Sequence, residues 1–510
     1  MCRYAGFANQ SRHHCVAHLI QMVLQRHLSP FSPLTAMRRA LQQRQISARE
    51  LLDLHLRRIF EFDESLNSVV VRDFDQARSA ASQADEHLAK GDARPLLGLP
   101  ITIKESLDVE GLPSTAGVEW RRSHLAPRDS QTVKRLRDAG AVIIGKTNVC
   151  TWLADYNADN PLYGRTNNPW DLSRTCGGSS GGSAAVAAGL SSLDIGSDLG
   201  GSIRIPPAFC GLWGHRPSDS TVCSSGHFPG SEHPNVAVTM AAQGPQGRSA
   251  FDCELALDAM AGADTGMDLG WRLAFPPTRH KRLANFRVAV LPLQEWLPVD
   301  GEIFKHLGDL VAELRKLGVT VGETAPKSIG DLRSHYKLFR SMMGVVVSIH
   351  WPADLRAHVT ERRRATGDEF HAADAEGFNA SASTLLQWHE QREVYRAAWR
   401  SFFEEWDVLL TPMTLTTAFA HTTIPTVDRK LRIGGDDVSF DNMSFYPGLA
   451  SLAGQPATAI PAGFSAAGLP IGLQAIGPFL EDRTTLRFAQ LLEEEFGGFR
   501  PPLGYNGNSF

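Results

Sequence analysis

Residues 176–211 read CGGSSGGSAAVAAGLSSLDIGSDLGGSIRIPPAFCG, and this stretch restricts the fold more than any other part of the chain. Two glycine-serine clusters, residues 177–183 and 200–202, flank a segment of small residues. Glycine lets backbone amides approach a ligand, or adopt positive φ, with no side chain in the way. A serine hydroxyl beside such amides can act as a nucleophile whose developing oxyanion the amides hold. Gly/Ser runs are more often turns or linkers. Here, however, the first run leads into small apolar residues of good helical propensity, 184–190, and the second into Ile203-Arg204-Ile205-Pro206. A linker has no reason to sit between buried segments. No Gly-Lys-Ser/Thr closes either cluster, so neither is a phosphate loop. Gly200-Gly201-Ser202-Ile203 is not a G-x-S-x-G elbow either.

Charge and composition exclude other classes. A net charge of -4 over 510 residues offers no basic surface for a polyanion. Seven cysteines without a C-x-x-C pair point to reduced thiols and a cytoplasmic setting, not a disulfide scaffold. No apolar run reaches the roughly 18 residues of a membrane span. His350, His371 and His389 are scattered without H-E-x-x-H spacing, so no metal site is expected. Residues 1–32 carry a weak apolar patch, 16–24, interrupted by His18 and Gln21 and lacking an A-x-A cleavage site; an extension of unassigned role is expected there.

Along the chain, short apolar strands alternate with amphipathic helices, the pattern of an α/β sheet. Helices are expected at 34–43, at 47–62 with Ser47 as N-cap and Glu50 three residues on, at 75–90, 130–139, 302–317, 442–453 and 484–495. Strands are expected at 66–71, 101–103, 141–144, 190–195, 286–292, 319–321, 407–412, 456–463 and 468–477. Residues 328–405 read as largely helical and richly charged. Two lysines, Lys104 and Lys146, each close a buried-looking strand, and local pattern does not separate them. Cys210, with His215 five residues on, could be taken for a thiol nucleophile, but its apolar surroundings make it a small core residue.

The two clusters, GGSSGGS at 177–183 and GSDLGGSIRIP at 196–206, resemble the signature of the amidase signature family. Residues 98–105 (GLPITIKE), 209–217, 244–252, 407–412 and 468–474 resemble further motifs of that family, and the resemblance runs from about residue 33 to 503. It implies an α/β fold: a single large domain, 33–503, with a mostly mixed central β-sheet flanked by helices. The helical part at about 328–405 would be a variable insertion, with 504–510 a tail.

The resemblance also implies chemistry. Ser202 would be the nucleophile, Ser179 a bridging serine in a cis peptide, and Lys104 rather than Lys146 the general base. The amides of Leu199, Gly200 and Gly201 would form an oxyanion hole, with Asn148, Ser180, Asp198 and Arg204 supporting the site or the substrate. A lysine serves as base only when neutral, which burial favours. No cofactor or metal is implied. The partners would be substrate and water, without nucleic acid or membrane, in a monomer or homodimer. The expected activity is hydrolysis of linear C–N bonds in small carboxamides, anilides or carbamates, with possible esterase or urethanase side activity. The alternative is the glutamine-hydrolysing subunit of a tRNA-dependent amidotransferase, and a non-enzymatic binding role is remote. Ser202 follows Ser179 by 23 positions, one fewer than is usual in that family. One missing helical residue rotates the remainder of a helix by about 100°, so the intervening helix should start late or the slip should be absorbed at 190–192.

Overall fold

The computed structural model describes residues 28–231, 233–236 and 239–506, so most of the 1–32 extension and the last residues of the tail lie outside the described residues. Its frame is an eleven-stranded sheet: β1 (Val69–Arg72), β2 (Pro100–Lys104), β3 (Val142–Thr147), β4 (Leu193–Asp198), β5 (Trp213–Arg216), β6 (Ala242–Gly247), β7 (Arg287–Val290), β8 (Thr320–Glu323), β9 (Val408–Pro412), β10 (Ala457–Phe464) and β11 (Pro470–Ile476). Their spatial order is β1-β3-β2-β4-β6-β5-β10-β11-β9-β7-β8. The sheet is mixed. β3, β2 and β4 are mutually parallel, as are β9, β7 and β8, and the strands between run antiparallel. β2, β3 and β4 are buried along their whole length, and polar side chains within them, Thr102, Lys104, Asp194 and Ser197 among them, are buried with the apolar ones.

Alternate residues of one strand feed separate cores, because successive side chains leave opposite faces of a sheet. Val408 and Leu410 join a core with the amino-terminal helices, Gly301–Lys316 and Asp482–Phe496, while Leu409 joins one with Leu332–Ser348, Ala382–Glu405 and Phe445–Ala453. The stretch expected to be helical holds four helices, Leu332–Ser348, Ala353–Ala365, Glu369–Phe378 and Ala382–Glu405.

Ser47 and Glu50 form the expected capping box, but the helix runs on to Leu66 and ends on left-handed Asn67. The next strand therefore starts at Val69, later than expected. β5, β6 and a hairpin of Lys430–Ile433 with Asp436–Ser439 have no counterpart among the strands expected from the sequence.

Candidate active site

The site forms where β2 and β4 end side by side. Parallel neighbours present their carboxyl ends at one edge, the usual place for ligands in an α/β sheet. Thr102 pairs with Asp194 and Ile103 with Ile195, so the two-residue alternation sends Thr102 and Lys104 to one face and the isoleucines to the other. Lys104 is wholly buried. Its Nζ lies 2.6 Å from Ser179 Oγ, 3.0 Å from Ser197 Oγ and 3.3 Å from the Ser197 carbonyl oxygen. Burial pushes its ammonium down to about 8, opposed by Cys150, Asp198 and Asp194. Lys146, equally buried and also pushed down to about 8, instead donates to the Pro113 carbonyl near Glu105 and Asp108. Among the described residues it bonds to none of the serines.

The first glycine cluster lies against this face. The Gly178–Ser179 peptide is cis. Cys150 N–H donates to Ser179 O at 3.1 Å, and Gly181 N–H to Asn148 O at 2.7 Å, which fixes the loop to the end of β3. Gly182 is a glycine for a steric reason: a Cβ there would stand 1.9 Å from Asp194 Oδ2. Asp194 accepts from Thr102 and Thr147 at 2.9 Å and from Gln246 at 3.1 Å, while burial raises its carboxyl to about 6. Ser180 lies 3.5 Å from Asp194 and accepts from Gly182 N–H at 3.0 Å. Asn148 spends its side chain on Gly164, Thr166, Val149 and Asn160. Both residues therefore brace the loop, and neither lines the cavity beside Ser202.

The helix after the cluster starts at once, Gly182–Ala187, and Gly189 at φ +74° closes it, with Leu190 N–H donating to Ala185 O. The chain then turns between Gly189 and Ser192 before β4 begins at Leu193. Three side chains pin that turn: Arg58 on Ala188 O, His55 on Gly189 O, and Arg248 on Val186 O and Ser191 O.

The second cluster hangs on a buried ion pair. Arg204 holds Asp198 through two parallel bonds of 2.8 and 2.9 Å, both side chains fully buried. Burial raises the Asp198 carboxyl, but Arg204 more than offsets it and holds it at about 2. Asp198 in turn accepts from Gly201 N–H at 2.8 Å and Ile203 N–H at 3.0 Å. The Gly201 N–H, one of the amides expected at the oxyanion hole, is thus engaged by Asp198 and braces the turn. Leu199, Gly200 and Ser202 do line the cavity. Among the described residues no hydrogen bond joins Ser179 to Ser202; such contacts are often long without substrate and tighten when it binds.

The cavity beside Ser202 measures about 250 Å³. Its apolar wall includes Leu153, Met343, Val347, Trp351, Phe378 and Phe440. Tyr156, also in the wall, donates to Gly200 O at 2.7 Å. Arg340 and Arg363 reach the wall already paired, both to Asp374 and Asp441, and Asp155 is held by Arg429 at 2.7 and 2.9 Å. A separate cavity of about 300 Å³, lined by Trp213, His306, Phe464 and Arg500 among others, contains none of these residues. Cys210 is buried and bonded to Cys176 O, and His215 is engaged with Thr458 and Asp482.

The sequence matches the Amidase family over residues 50–486. The chain belongs to the amidase signature family. An indoleacetamide hydrolase of Bradyrhizobium diazoefficiens is 33% identical over 74% of this chain and 71% of its own. A glutamyl-tRNA(Gln) amidotransferase subunit of a Psychrobacter species is 31% identical over 89% of this chain and 94% of its own. One solved structure, an inhibitor-bound member of a vestigial complex that reveals the origins of an s-triazine catabolic enzyme, superposes with a TM-score of 0.77. It is 26% identical and covers 92% of this chain and 100% of that one. The chain is thus an amidase signature hydrolase of C–N bonds on a single α/β domain. Sequence reasoning missed Asp194, Gln246 and His227 at this site. Asp194 alone left a signal, as a carboxylate inside an apolar strand.

Proposed function

We propose that this amidase signature enzyme hydrolyses small neutral carboxamides or anilides through an acyl-enzyme on Ser202. The observation that carries the reading is the fully buried Lys104 amine 2.6 Å from Ser179 Oγ. A neutral Lys104 takes the Ser179 proton while Ser179 takes that of Ser202, and Ser202 Oγ bonds to the amide carbon. The Leu199 and Gly200 amides hold the oxyanion; losing one such donor typically costs about 3–4 kcal/mol of transition-state stabilisation. Collapse breaks the C–N bond as the proton returns through Ser179 to the leaving nitrogen. Water, deprotonated along the same path, then releases the acid and restores Ser202.

The cavity supports a neutral acyl group. Its volume is at or below the small end of ligand sites, which start at about 300 Å³, and its arginines already have carboxylate partners. Glutamine would need a free cation for its carboxylate and a free anion for its ammonium. The second reading, a glutamine-hydrolysing role in a tRNA-dependent amidotransferase, is favoured by the near full-length likeness to the Psychrobacter protein. Monomer or homodimer remains the expected state. Steady-state assays with a neutral aryl amide and with glutamine separate the two. The first reading expects kcat/KM for the aryl amide to exceed that for glutamine by about 100-fold or more, since unpaired charges are costly to bury. Faster ammonia release from glutamine would overturn it.

A further inference from the structure

We infer that His227 is a positioning residue for the base: it orients the Ser197 hydroxyl so that the Lys104 lone pair is left to Ser179. This role rests on the Lys104–Ser179–Ser202 reading above. His227 Nε2 lies 2.8 Å from Ser197 Oγ and 3.2 Å from Ser106 Oγ, and Ser197 Oγ is 3.0 Å from Lys104 Nζ. The ring is held firmly. Residue 227 bridges Leu107, Phe228 N–H donates to Ser106 O at 2.9 Å, and Phe228 packs against Trp152 and His350.

Hydrogen-bond bookkeeping then gives a direction. The Pro229 backbone, which has no N–H to donate, acts on the imidazole as an acceptor that favours a proton on the nitrogen facing it. Nδ1 faces that turn, 3.5 Å from where a Cβ of Gly230 would stand. Nε2 is therefore the bare acceptor. Burial, and then the neighbouring Lys104 charge, push the imidazole down to about 3, which keeps Nε2 bare across the working pH range. The nearer hydroxyl, Ser197, donates to it, which turns the Ser197 oxygen lone pairs toward Lys104. A neutral amine has two N–H groups and one lone pair. The Ser197 carbonyl can only accept, so it takes one N–H, and the Ser197 hydroxyl oxygen takes the other. The lone pair faces Ser179 at 2.6 Å. Without an acceptor at 227, the Ser197 proton is free to turn to the Lys104 lone pair and compete with Ser179. The charged or titratable groups acting on this cluster are Cys150, Asp194 and Asp198 around Lys104, and Lys104 itself beside His227.

The test uses pH profiles of kcat/KM on a neutral aryl amide for His227→Leu and His227→Gln, with Lys104→Ala alongside. Leu removes the acceptor; Gln places an amide oxygen at the reach of Nε2. His227→Leu should lower the plateau about tenfold or more with little change in KM. It should also move the acidic limb to lower pH, because the neutral amine gains a donor and the ammonium loses an acceptor. His227→Gln should restore the plateau to within about threefold with the limb in its parental place. In a Ser197→Ala background, His227→Leu should change kcat by less than about twofold, since there is no hydroxyl left to orient. Two results would overturn the inference: a folded His227→Leu enzyme with parental plateau and limb, or an equal His227→Leu loss with and without Ser197. If Lys104→Ala stays active, the base assignment itself falls; if it is inactive while His227→Leu is parental, only the role of His227 falls.

Discussion

In the proposed mechanism Lys104 is the base, and a titration tests that role directly. Its ammonium is lowered to about 8, chiefly by burial. The base is active only when neutral, so kcat/KM should be flat above pH 8 and fall about tenfold per unit below it. Lys104→Ala should reduce kcat by about 10²–10⁴ with KM changed far less. Lys104→Arg should not rescue it, since a guanidinium stays protonated; near-parental activity in that variant would make charge, not proton transfer, the role of this position. The sequence could not separate Lys104 from Lys146 by pattern, because both close apolar strands and both are buried. What separates them is a register: β2 pairs with β4, which brings Ser197 to Lys104, while β3 lies one strand further out. A register between residues some ninety positions apart leaves no trace in local spacing. His227 was illegible for the same reason, being tied to the site by two hydroxyls and no motif.

At the scale of elements, the glycine loop shows which small residues are there for space. Gly182→Ala would drive a methyl into the Asp194 carboxylate and should cost at least about 2 kcal/mol in urea unfolding, with loss of activity. Gly308, exposed in the helix Gly301–Lys316, has nothing within 4 Å of an added Cβ. Gly308→Ala should therefore raise stability by about 0.5–1 kcal/mol and leave turnover alone. A Gly182→Ala protein as stable and active as its parent would contradict the packing described. Elements with strong caps were readable: Ser47 with Glu50, and Ser130 before Gln131–Asp138. β5 and β6 were not, since WGHR and AQGPQG lack the β-branched alternation that marks a strand. They hold their place through pairing with β4 and β10. The hairpin around Gly434-Gly435 did carry a legible turn, two glycines between short strands.

At the scale of the whole molecule, motifs far apart in the chain converge on one turn. Gln474, in the last strand, accepts from Arg204 and donates to Tyr446 O at 3.0 Å; Arg204 also donates to Pro447 O and Ser451 Oγ. Arg204 holds Asp198, and Asp198 holds the Gly201 and Ile203 amides on either side of Ser202. The carboxyl-terminal strands are therefore part of the site although they touch no reacting atom. Arg204→Met would leave the buried Asp198 carboxylate without its partner and should destabilise the fold by about 3–5 kcal/mol, read as a lowered urea midpoint. These long connections were legible only through the resemblance, which set the motifs side by side without saying what joins them. The proposed mechanism turns on an acyl group carried by Ser202. The enzyme should be mixed with a neutral aryl amide, quenched during turnover and digested, and the masses of its peptides measured. An acyl group on the peptide carrying Ser202, absent from Ser202→Ala, is the result expected; an acyl group on Ser179 or Cys210, or parental turnover by Ser202→Ala, would contradict it.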